Sequence, residues 1–181
     1  MRNLLLVALL ACALAAQAQG TLQFLAMPTG TNEVPPNNDP TVARGTFSLT
    51  GNSLGFLLTV PAETFIAVSA YIQGPALAGT NAPIIFDLGG PAFHGGSSLG
   101  DPPYYAFGSP ATPPLGAGPF TLTDNQINDL VAGLWYVNVT SAAMPDGQIR
   151  GQIYAVPEPS TWTLLLVGGG LVAFRHGRRE L

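Results

Sequence analysis

Residues 134–140 read LWYVNVT, and this stretch predicts the fold more strongly than any other. Apolar residues stand at every second position from Trp135 to Val139, with more polar residues between them. A period of two is the pattern of a β-strand that is buried on one face. Residues 145–147 (PDG) then favour a turn, and residues 148–155 predict a last strand that follows it.

Short runs of the same kind lie upstream, separated by clusters of Gly, Pro and Asn. Residues 45–50 alternate, with Phe47 and Leu49 on one face, and residues 51–53 (GNS) predict the loop of a hairpin. Residues 31–40 are a polar, proline-rich loop. The other predicted strands of this part are residues 22–27, 54–60, 66–72 and 83–88.

One short helix is predicted near the end of this body. Thr123 is a good N-cap, Gln126 three residues later completes a capping box, and Gly133 ends the helix. Together, these elements predict a single all-β domain over residues 20–155. We expect an antiparallel β-sandwich with Greek-key-like connections, or a barrel, carrying one short helix.

Residues 89–118 are crowded with Gly and Pro and show no apolar period. They predict a long loop with at most one short edge strand, and loops of this length are usually functional or mobile. The aromatic residues Tyr104, Tyr105 and Phe107 lie in it. We expect them to pack the loop onto the sandwich, and the alternative is a surface that stacks sugars or contacts a protein.

Composition excludes several classes of protein. The 181 residues carry a net charge of −4 and no lysine, and Arg44 and Arg150 are the cations between the chain ends. A basic footprint for nucleic acid is therefore absent. The single cysteine, Cys12, lies in the leader, so the mature chain has no thiol nucleophile, cysteine metal site or disulfide.

Residues 1–18 predict a secretory signal peptide. Arg2 supplies the positive start, residues 4–16 are apolar, and residues 16–18 (AQA) form a small-x-small cleavage site. A lipoprotein signal that ends at Cys12 is the competing interpretation, and the apolar segment before that cysteine is short. In either case the body folds outside the cytoplasm.

The C-terminal tail, residues 156–181, has three parts. Residues 156–162 (VPEPSTW) begin it, and the apolar run 162–174 follows. This run is shorter than the roughly 17–25 residues that a spanning helix needs, but its flanks bring it near the minimum. We therefore predict a transmembrane anchor helix. The basic flank comes last, which places the C-terminus in the cytoplasm, and it contains Arg175, Arg178 and Arg179.

This tail resembles the PEP-CTERM sorting signal of Gram-negative bacteria. The resemblance lies in Pro157, Glu158 and Pro159, in the Gly-containing apolar run and in the terminal arginines. It implies that an exosortase, a membrane transpeptidase-like protease, processes the chain near the Pro-Glu-Pro motif. It also implies transient anchoring in the inner membrane and delivery to the cell surface or the extracellular matrix.

The body resembles the CHRD domain. The resemblance implies a β-rich fold, and no enzymatic activity is established for that family in general. The family often has histidines where this chain has Tyr71, Gln73 and Thr140. A transition-metal role for such histidines is therefore in doubt in this chain. The matching stretches are residues 32–36 (NEVPP), 45–47 (GTF), 70–76 (AYIQGPA), 83–88 (PIIFDL), 134–139 (LWYVNV) and 146–153 (DGQIRGQI).

Candidate catalytic groups are few. His94 is the one histidine of the body, and we interpret it as a solvated loop residue. Paired carboxylates could hydrolyse a glycoside, although Asp87 is better explained as a turn initiator. The carboxylates considered for such a pair are Glu33, Glu63, Asp87 and Asp101.

Binding groups are equally sparse. Asp39, Asp101 and Asp146 lie in turn clusters and could bind calcium weakly, but the chain has no Asp-x-Asp-x-Asp-Gly loop. Arg150 stands in an apolar, Gly-flanked strand. We expect it to pair with a buried carboxylate or with loop carbonyls, which is a structural role.

The resulting hypothesis is an exported, non-enzymatic protein of the cell surface or matrix, with a structural or adhesive role. It has no predicted catalytic, cofactor or metal site. Its expected partners are the exosortase-type protease, the membrane, and exopolysaccharide or surface proteins, without nucleic acid. The alternative is a binding module for polysaccharide or a partner protein that uses residues 89–118. The third candidate is a surface hydrolase that uses Glu63 and Asp87.

Overall fold

The computed structural model describes residues 20–63, 65–94, 103–109 and 119–157. The predicted signal peptide, the sorting motif from Glu158 onward and the predicted anchor helix lie outside these residues. Within them, the α-helix α1 spans Asp124–Val131, and a 3-10 turn spans Gly30–Asn32. The strands are β1 (Leu22–Ala26), β2 (Arg44–Thr50), β3 (Ser53–Pro61), β4 (Ala67–Gln73), β5 (Ile84–Asp87), β6 (Ala92–His94), β7 (Tyr104–Ser109), β8 (Phe120–Thr121), β9 (Tyr136–Ser141), β10 (Ile149–Gln152) and β11 (Tyr154–Ala155).

The larger sheet has the order β11-β1-β2-β3-β7-β6, and β8 also pairs with β3. All its pairs are antiparallel. The hairpin between β2 and β3 is the predicted one, with Thr50 opposite Ser53. Its turn therefore has two residues, Gly51 and Asn52, and Gly51 has the positive φ of 60° that favours glycine.

The smaller sheet has the order β10-β9-β4-β5, again antiparallel. Its inward side chains and those of the larger sheet form one hydrophobic core. In the stretch 134–140, Trp135, Val137 and Val139 are fully buried in that core as the pattern predicts, and the opposite face of the strand is buried as well. The prediction of an all-β antiparallel fold with two sheets is thus confirmed.

The short helix α1 begins as predicted. The Thr123 hydroxyl oxygen accepts from the Gln126 backbone N–H at 3.4 Å, and the Thr123 backbone N–H donates to Gln126 Oε1 at 2.9 Å. Leu130 anchors the helix in the core. Within the described part of the chain, no helix is long and apolar enough to cross a membrane.

The prediction for residues 89–118 is wrong in part. Strands β6 and β7 lie there, and β7 is not at an edge, because it pairs with β3 on one side and β6 on the other. The close pairing needs Gly108, since a Cβ there would lie 2.5 Å from the Phe56 carbonyl oxygen. The many Gly and Pro residues around β7 hide this strand from a pattern search.

The last predicted strand, residues 148–155, is two strands. β10 pairs with β9 in the smaller sheet, and β11 pairs with β1 in the larger one. The chain changes sheet at Ile153, whose side chain is fully buried and whose backbone N–H donates to the Trp135 carbonyl at 2.8 Å. The alternation of residues continues across such a change of sheet, so the sequence pattern does not show where the chain passes from one sheet to the other.

Candidate functional site

The outward face of the smaller sheet is polar and yet buried. Tyr136, Asn138 and Thr140 on β9, and Arg150 on β10, are each less than a tenth exposed. Residues 29–41, called here the covering loop, cover this face beside Asn138, Gln148 and the Arg150 backbone. Residues 80–82 contact the side chains of Tyr136 and Arg150. The interface between this loop and the sheet is called here the polar layer, and its side chains are Glu33, Asp39, Tyr136, Asn138, Gln148 and Arg150.

The covering loop begins by pairing with the sheet through its backbone. The Thr29 N–H donates to the Arg150 carbonyl at 2.9 Å, and the Arg150 N–H donates to the Thr29 carbonyl at 3.1 Å. The approach is close, since a Cβ on Gly151 would lie 2.6 Å from the Pro28 nitrogen. This contact covers the outer edge of β10, which would otherwise be an exposed edge strand.

The C-terminal half of the loop is held by side chains. Asn37 Nδ2 donates to the Gln148 carbonyl at 2.9 Å, and Gln148 Nε2 donates to Asp39 Oδ2. The other Asp39 oxygen accepts from the Thr41 N–H at 2.8 Å. Gln148 Oε1 accepts from the Ser141 hydroxyl at 2.7 Å, so the network continues into β9. These bonds fasten the loop to the end of β9 and to the turn that leads into β10.

Arg150 is 2% exposed and occupies the centre of the polar layer. Its Nη1 donates to Asn81 Oδ1 at 2.9 Å, and its Nη2 donates to the Thr80 carbonyl at 2.7 Å. The guanidinium lies 3.5 Å from the centre of the Tyr136 ring, which is a cation–π contact. The contact predicted for this arginine with a loop carbonyl is present at Thr80, and the second acceptor is a side-chain amide oxygen.

Glu33 enters the polar layer from the covering loop and is 6% exposed. Burial raises the pKa of its carboxyl from 4.5 to about 7, although the Val34 backbone N–H and the charge of Arg150 both act to lower it. Among the described residues, neither Glu33 Oε1 nor Asn138 Oδ1 has a hydrogen-bond partner. Buried oxygens without partners are uncommon in folded proteins.

A cleft of about 770 Å³ opens beside the polar layer. Its walls come from the covering loop, from the turn at Ala78 and Gly79, and from β1, β10 and β11. Apolar side chains such as Met27 and Tyr154 form its rim, and both are about half exposed. The volume suits a small ligand or a short segment of a polymer.

The chain matches the sequence patterns of two known families. The pattern of the CHRD domain matches residues 24–153, which is most of the body. The chain belongs to the CHRD domain family. That of the PEP-CTERM protein-sorting motif matches residues 155–179. The protein is therefore a CHRD-domain protein with an exosortase-type sorting signal for the cell envelope, which implies association with the membrane. Neither curated proteins nor solved structures gave a match.

The described carboxylates that were considered for hydrolysis lie on different elements of the structure. Glu33 is buried in the polar layer of the CHRD domain, and Glu63 is exposed in the connection after β3. Asp87 ends β5, and its Oδ1 accepts from the Gly89 N–H at 2.8 Å, as expected of a turn initiator. Asp101 lies outside the described residues.

The proposed calcium ligands have other roles in the CHRD domain. Asp39 accepts hydrogen bonds within the covering loop, and the Asp146 carbonyl accepts from Asn138 Nδ2 at 3.0 Å while its side chain is exposed. His94 is the last residue of β6, so its assignment to a loop is wrong. The described residues contain no group of three His, Cys, Asp or Glu that could hold a metal ion.

The three positions where CHRD domains often have histidine lie on one face. Tyr71 and Gln73 alternate on β4, and Thr140 is opposite Ser69 on the neighbouring strand. Here they belong to the polar side of the sheet. Gln73 Oε1 accepts from Asn138 Nδ2 at 3.3 Å, and the Thr140 hydroxyl donates to the Ser69 carbonyl at 3.3 Å. Neutral hydrogen bonds therefore involve two of these three positions, Gln73 and Thr140.

Tyr104, Tyr105 and Phe107 of the predicted long loop belong to β7. Phe107 is fully buried in the core, Tyr105 packs against that core, and Tyr104 is partly exposed. The expectation that this segment packs on the sandwich is confirmed for Phe107 and Tyr105. Sequence reasoning missed the burial of Glu33, for which the apolar Val-Pro-Pro that follows it was the available signal.

Proposed function

We propose that this CHRD-domain protein is a non-enzymatic component of the cell surface or extracellular matrix with a structural or adhesive role. The observation that supports the proposal is the use of the polar layer. Asp39 and Gln148 use their hydrogen bonds to fasten the covering loop to the sheet, and the Arg150 side chain binds Asn81 and the Thr80 carbonyl of the β4–β5 connection. Such bonds stabilise a fold and do not present a nucleophile, acid or base to a substrate.

The delivery route is the second part of the proposal. The signal peptide 1–18 starts export, the apolar run 162–174 holds the chain in the inner membrane, and the exosortase acts near Pro157–Pro159. The CHRD domain ends at the very start of this tail, because β11 ends at Ala155. Processing would therefore release the folded body without cutting into it.

The test is the intact mass and cell fraction of the mature protein in a host that makes the exosortase. A chain that starts at Gln19, ends near Pro157–Pro159 and lies outside the membrane is the expected result. A chain that keeps Arg179 in the inner-membrane fraction would mean a plain anchor. Mature protein in the cytosol would refute the proposal.

A binding module for polysaccharide is the second candidate, and the cleft is the observation that favours it. Tyr154 at its rim is 57% exposed, and an exposed tyrosine ring can stack on a sugar. The segment 89–118 is a poor site for a deletion test, because it contains strands of the larger sheet. The sharper test is Tyr154→Ala, with Leu77→Ala as a control at an exposed residue that does not itself line the cleft.

Retention on matrix polysaccharide should fall at least tenfold in Tyr154→Ala and stay unchanged in Leu77→Ala. Equal retention of both variants would remove the cleft from consideration. The surface hydrolase remains the third candidate. If Asp87→Asn abolished hydrolysis of matrix polysaccharide, the non-enzymatic proposal would fail.

A further inference from the structure

Three side-chain oxygens converge beside Gly147, in the turn between β9 and β10. The position that a Cβ on residue 147 would occupy lies 2.7 Å from Glu33 Oε2, 2.8 Å from Glu33 Oε1 and 2.8 Å from Asn138 Oδ1. Gly147 also has a φ of 155°, so both its backbone and its lack of a side chain suit this approach. The carboxyl of the covering loop and the amide oxygen of β9 thus border the same small space beside Gly147.

The orientation of the Asn138 amide is fixed by its nitrogen. Nδ2 donates to the Asp146 carbonyl at 3.0 Å and to Gln73 Oε1 at 3.3 Å. Exchanging the amide nitrogen and oxygen would place an acceptor against both of these acceptors. The oxygen Oδ1 therefore has to face Glu33, and an ionised Glu33 would set acceptor against acceptor in a buried place.

We propose that Glu33 is a carboxylic acid that donates its proton to Asn138 Oδ1, and that this pair is a pH-sensitive latch that fastens the covering loop to the smaller sheet. This proton gives a hydrogen-bond partner to Glu33 Oε1 and to Asn138 Oδ1 at the same time. When it leaves, the hydrogen bond becomes a repulsive contact, and the loop separates from the sheet at this point. Since Val34 and Pro36 line the cleft, its loop wall loosens as well.

The direction of the pH effect follows from burial. The carboxyl titrates near pH 4.5 when exposed and near pH 7 in the folded protein. The folded state therefore binds the proton more tightly, and the latch is fully closed below pH 4.5. Its stabilising contribution is lost as the pH rises from 4.5 through about 7.

The neighbouring charges are compatible with a neutral Glu33. Arg150 on β10 is the nearby cation, and Asn81 and Thr80 already take its hydrogen bonds. Asp39 of the same loop is engaged by Gln148 and Thr41. The other ionisable groups of the packed elements are Asp146 in the β9–β10 turn, Tyr136 on β9 and Tyr71 on β4.

A bound cation is the competing explanation for converging oxygens. Calcium takes six to eight oxygens and usually several carboxylates. Glu33 supplies the one carboxylate among the three atoms nearest to this point, the cation of Arg150 is near, and no group of three candidate ligands exists in the described part of the chain. A proton therefore fits the site better than a metal ion.

The first test compares urea unfolding of the exported protein with its Glu33→Gln variant from pH 5 to pH 8. Glutamine keeps a donor toward Asn138 and cannot ionise. The ratio of the wild-type unfolding constant to that of the variant should rise by roughly 50- to 100-fold over this range. Glu63→Gln removes an exposed carboxylate and is the control, for which the ratio should stay nearly constant.

The second test needs no variant for its main readout. The NMR signal of the Glu33 carboxyl carbon in the wild-type protein should titrate near pH 7, and a midpoint below pH 5 would overturn the latch. Hydrogen exchange of the Glu33 and Asn37 amides, which both donate to the Gly30 carbonyl, should rise above its intrinsic pH dependence between pH 6 and 8. If calcium stabilised the wild type but not Glu33→Gln at pH 8, the site would bind a cation instead.

Discussion

At the scale of single residues, the protein depends on one arginine. Arg150 is buried and charged, and the chain contains no lysine. Its planar guanidinium donates to Asn81 Oδ1 and to the Thr80 carbonyl, and its flat face lies on the Tyr136 ring. A lysine has no fork and makes a poorer stack, so the substitution is not conservative at this site.

We therefore expect Arg150→Lys to lower the free energy of unfolding by about 2–4 kcal/mol, because a lysine cannot donate to both Asn81 and Thr80 while stacking on Tyr136, and its buried charge is then poorly paired. Urea denaturation measures the change. Arg44→Lys is the matched control, since Arg44 is exposed on β2, and it should change stability by less than about 0.5 kcal/mol. Equal effects of the two variants would mean that Arg150 is not a structural centre.

At the scale of elements, the covering loop is as important as any strand. It closes the edge of β10 through Thr29 and brings Glu33 and Asp39 onto the polar face of the smaller sheet. This attachment needs a small residue where the chains cross, and Gly151 supplies it. The loop and the sheet are therefore one packing unit, although more than a hundred residues separate Asn37 and Asp39 from their partner Gln148 in the sequence.

Gly151→Ala tests this crossing. The added Cβ would lie 2.6–2.9 Å from backbone atoms of Met27 and Pro28, which cannot move aside as a side chain can. We expect a loss of about 2–4 kcal/mol in unfolding free energy, measured by urea denaturation. Gly55→Ala is the control within a strand, because its Cβ would meet only the Ser48 hydroxyl at 3.2 Å, and it should be nearly neutral.

At the scale of the whole molecule, the two sequence matches adjoin without overlapping, and the folded body extends only to Ala155 and Val156 at the start of the sorting match. The CHRD match ends at residue 153 and the sorting match begins at residue 155. Val156 still donates its N–H to the Gln23 carbonyl at 2.7 Å, and the following residue, Pro157, is exposed. Folding and sorting should therefore be separable by mutation.

Glu158→Ala is the corresponding prediction. Processing should stop, and unprocessed chain should accumulate in the membrane fraction, because the variant changes the motif that the protease reads. Intact mass measures this, and Glu63→Ala is the control that should be processed normally. Urea unfolding of the body should be the same in both variants. Normal processing of Glu158→Ala would show that this carboxylate is not part of the recognised motif.

Local patterns were sufficient wherever neighbours in sequence are also neighbours in structure. The alternation from Trp135 to Val139, the β2–β3 hairpin and the Thr123 capping box each depend on contacts within a few residues, and each was predictable. The family and the sorting tail were predictable as well, because both are carried by short stretches in a fixed order.

Only the tertiary structure decided the rest. It decided that β7 lies inside the larger sheet, that the last strand divides between two sheets at Ile153, and that the polar face of the smaller sheet is buried. The pairing of Glu33 with Asn138 is of the same kind. Each depends on which distant segments exclude water from one another, and burial, which sets both the pKa of Glu33 and the role of Arg150, is a property of that contact and of no single stretch of sequence.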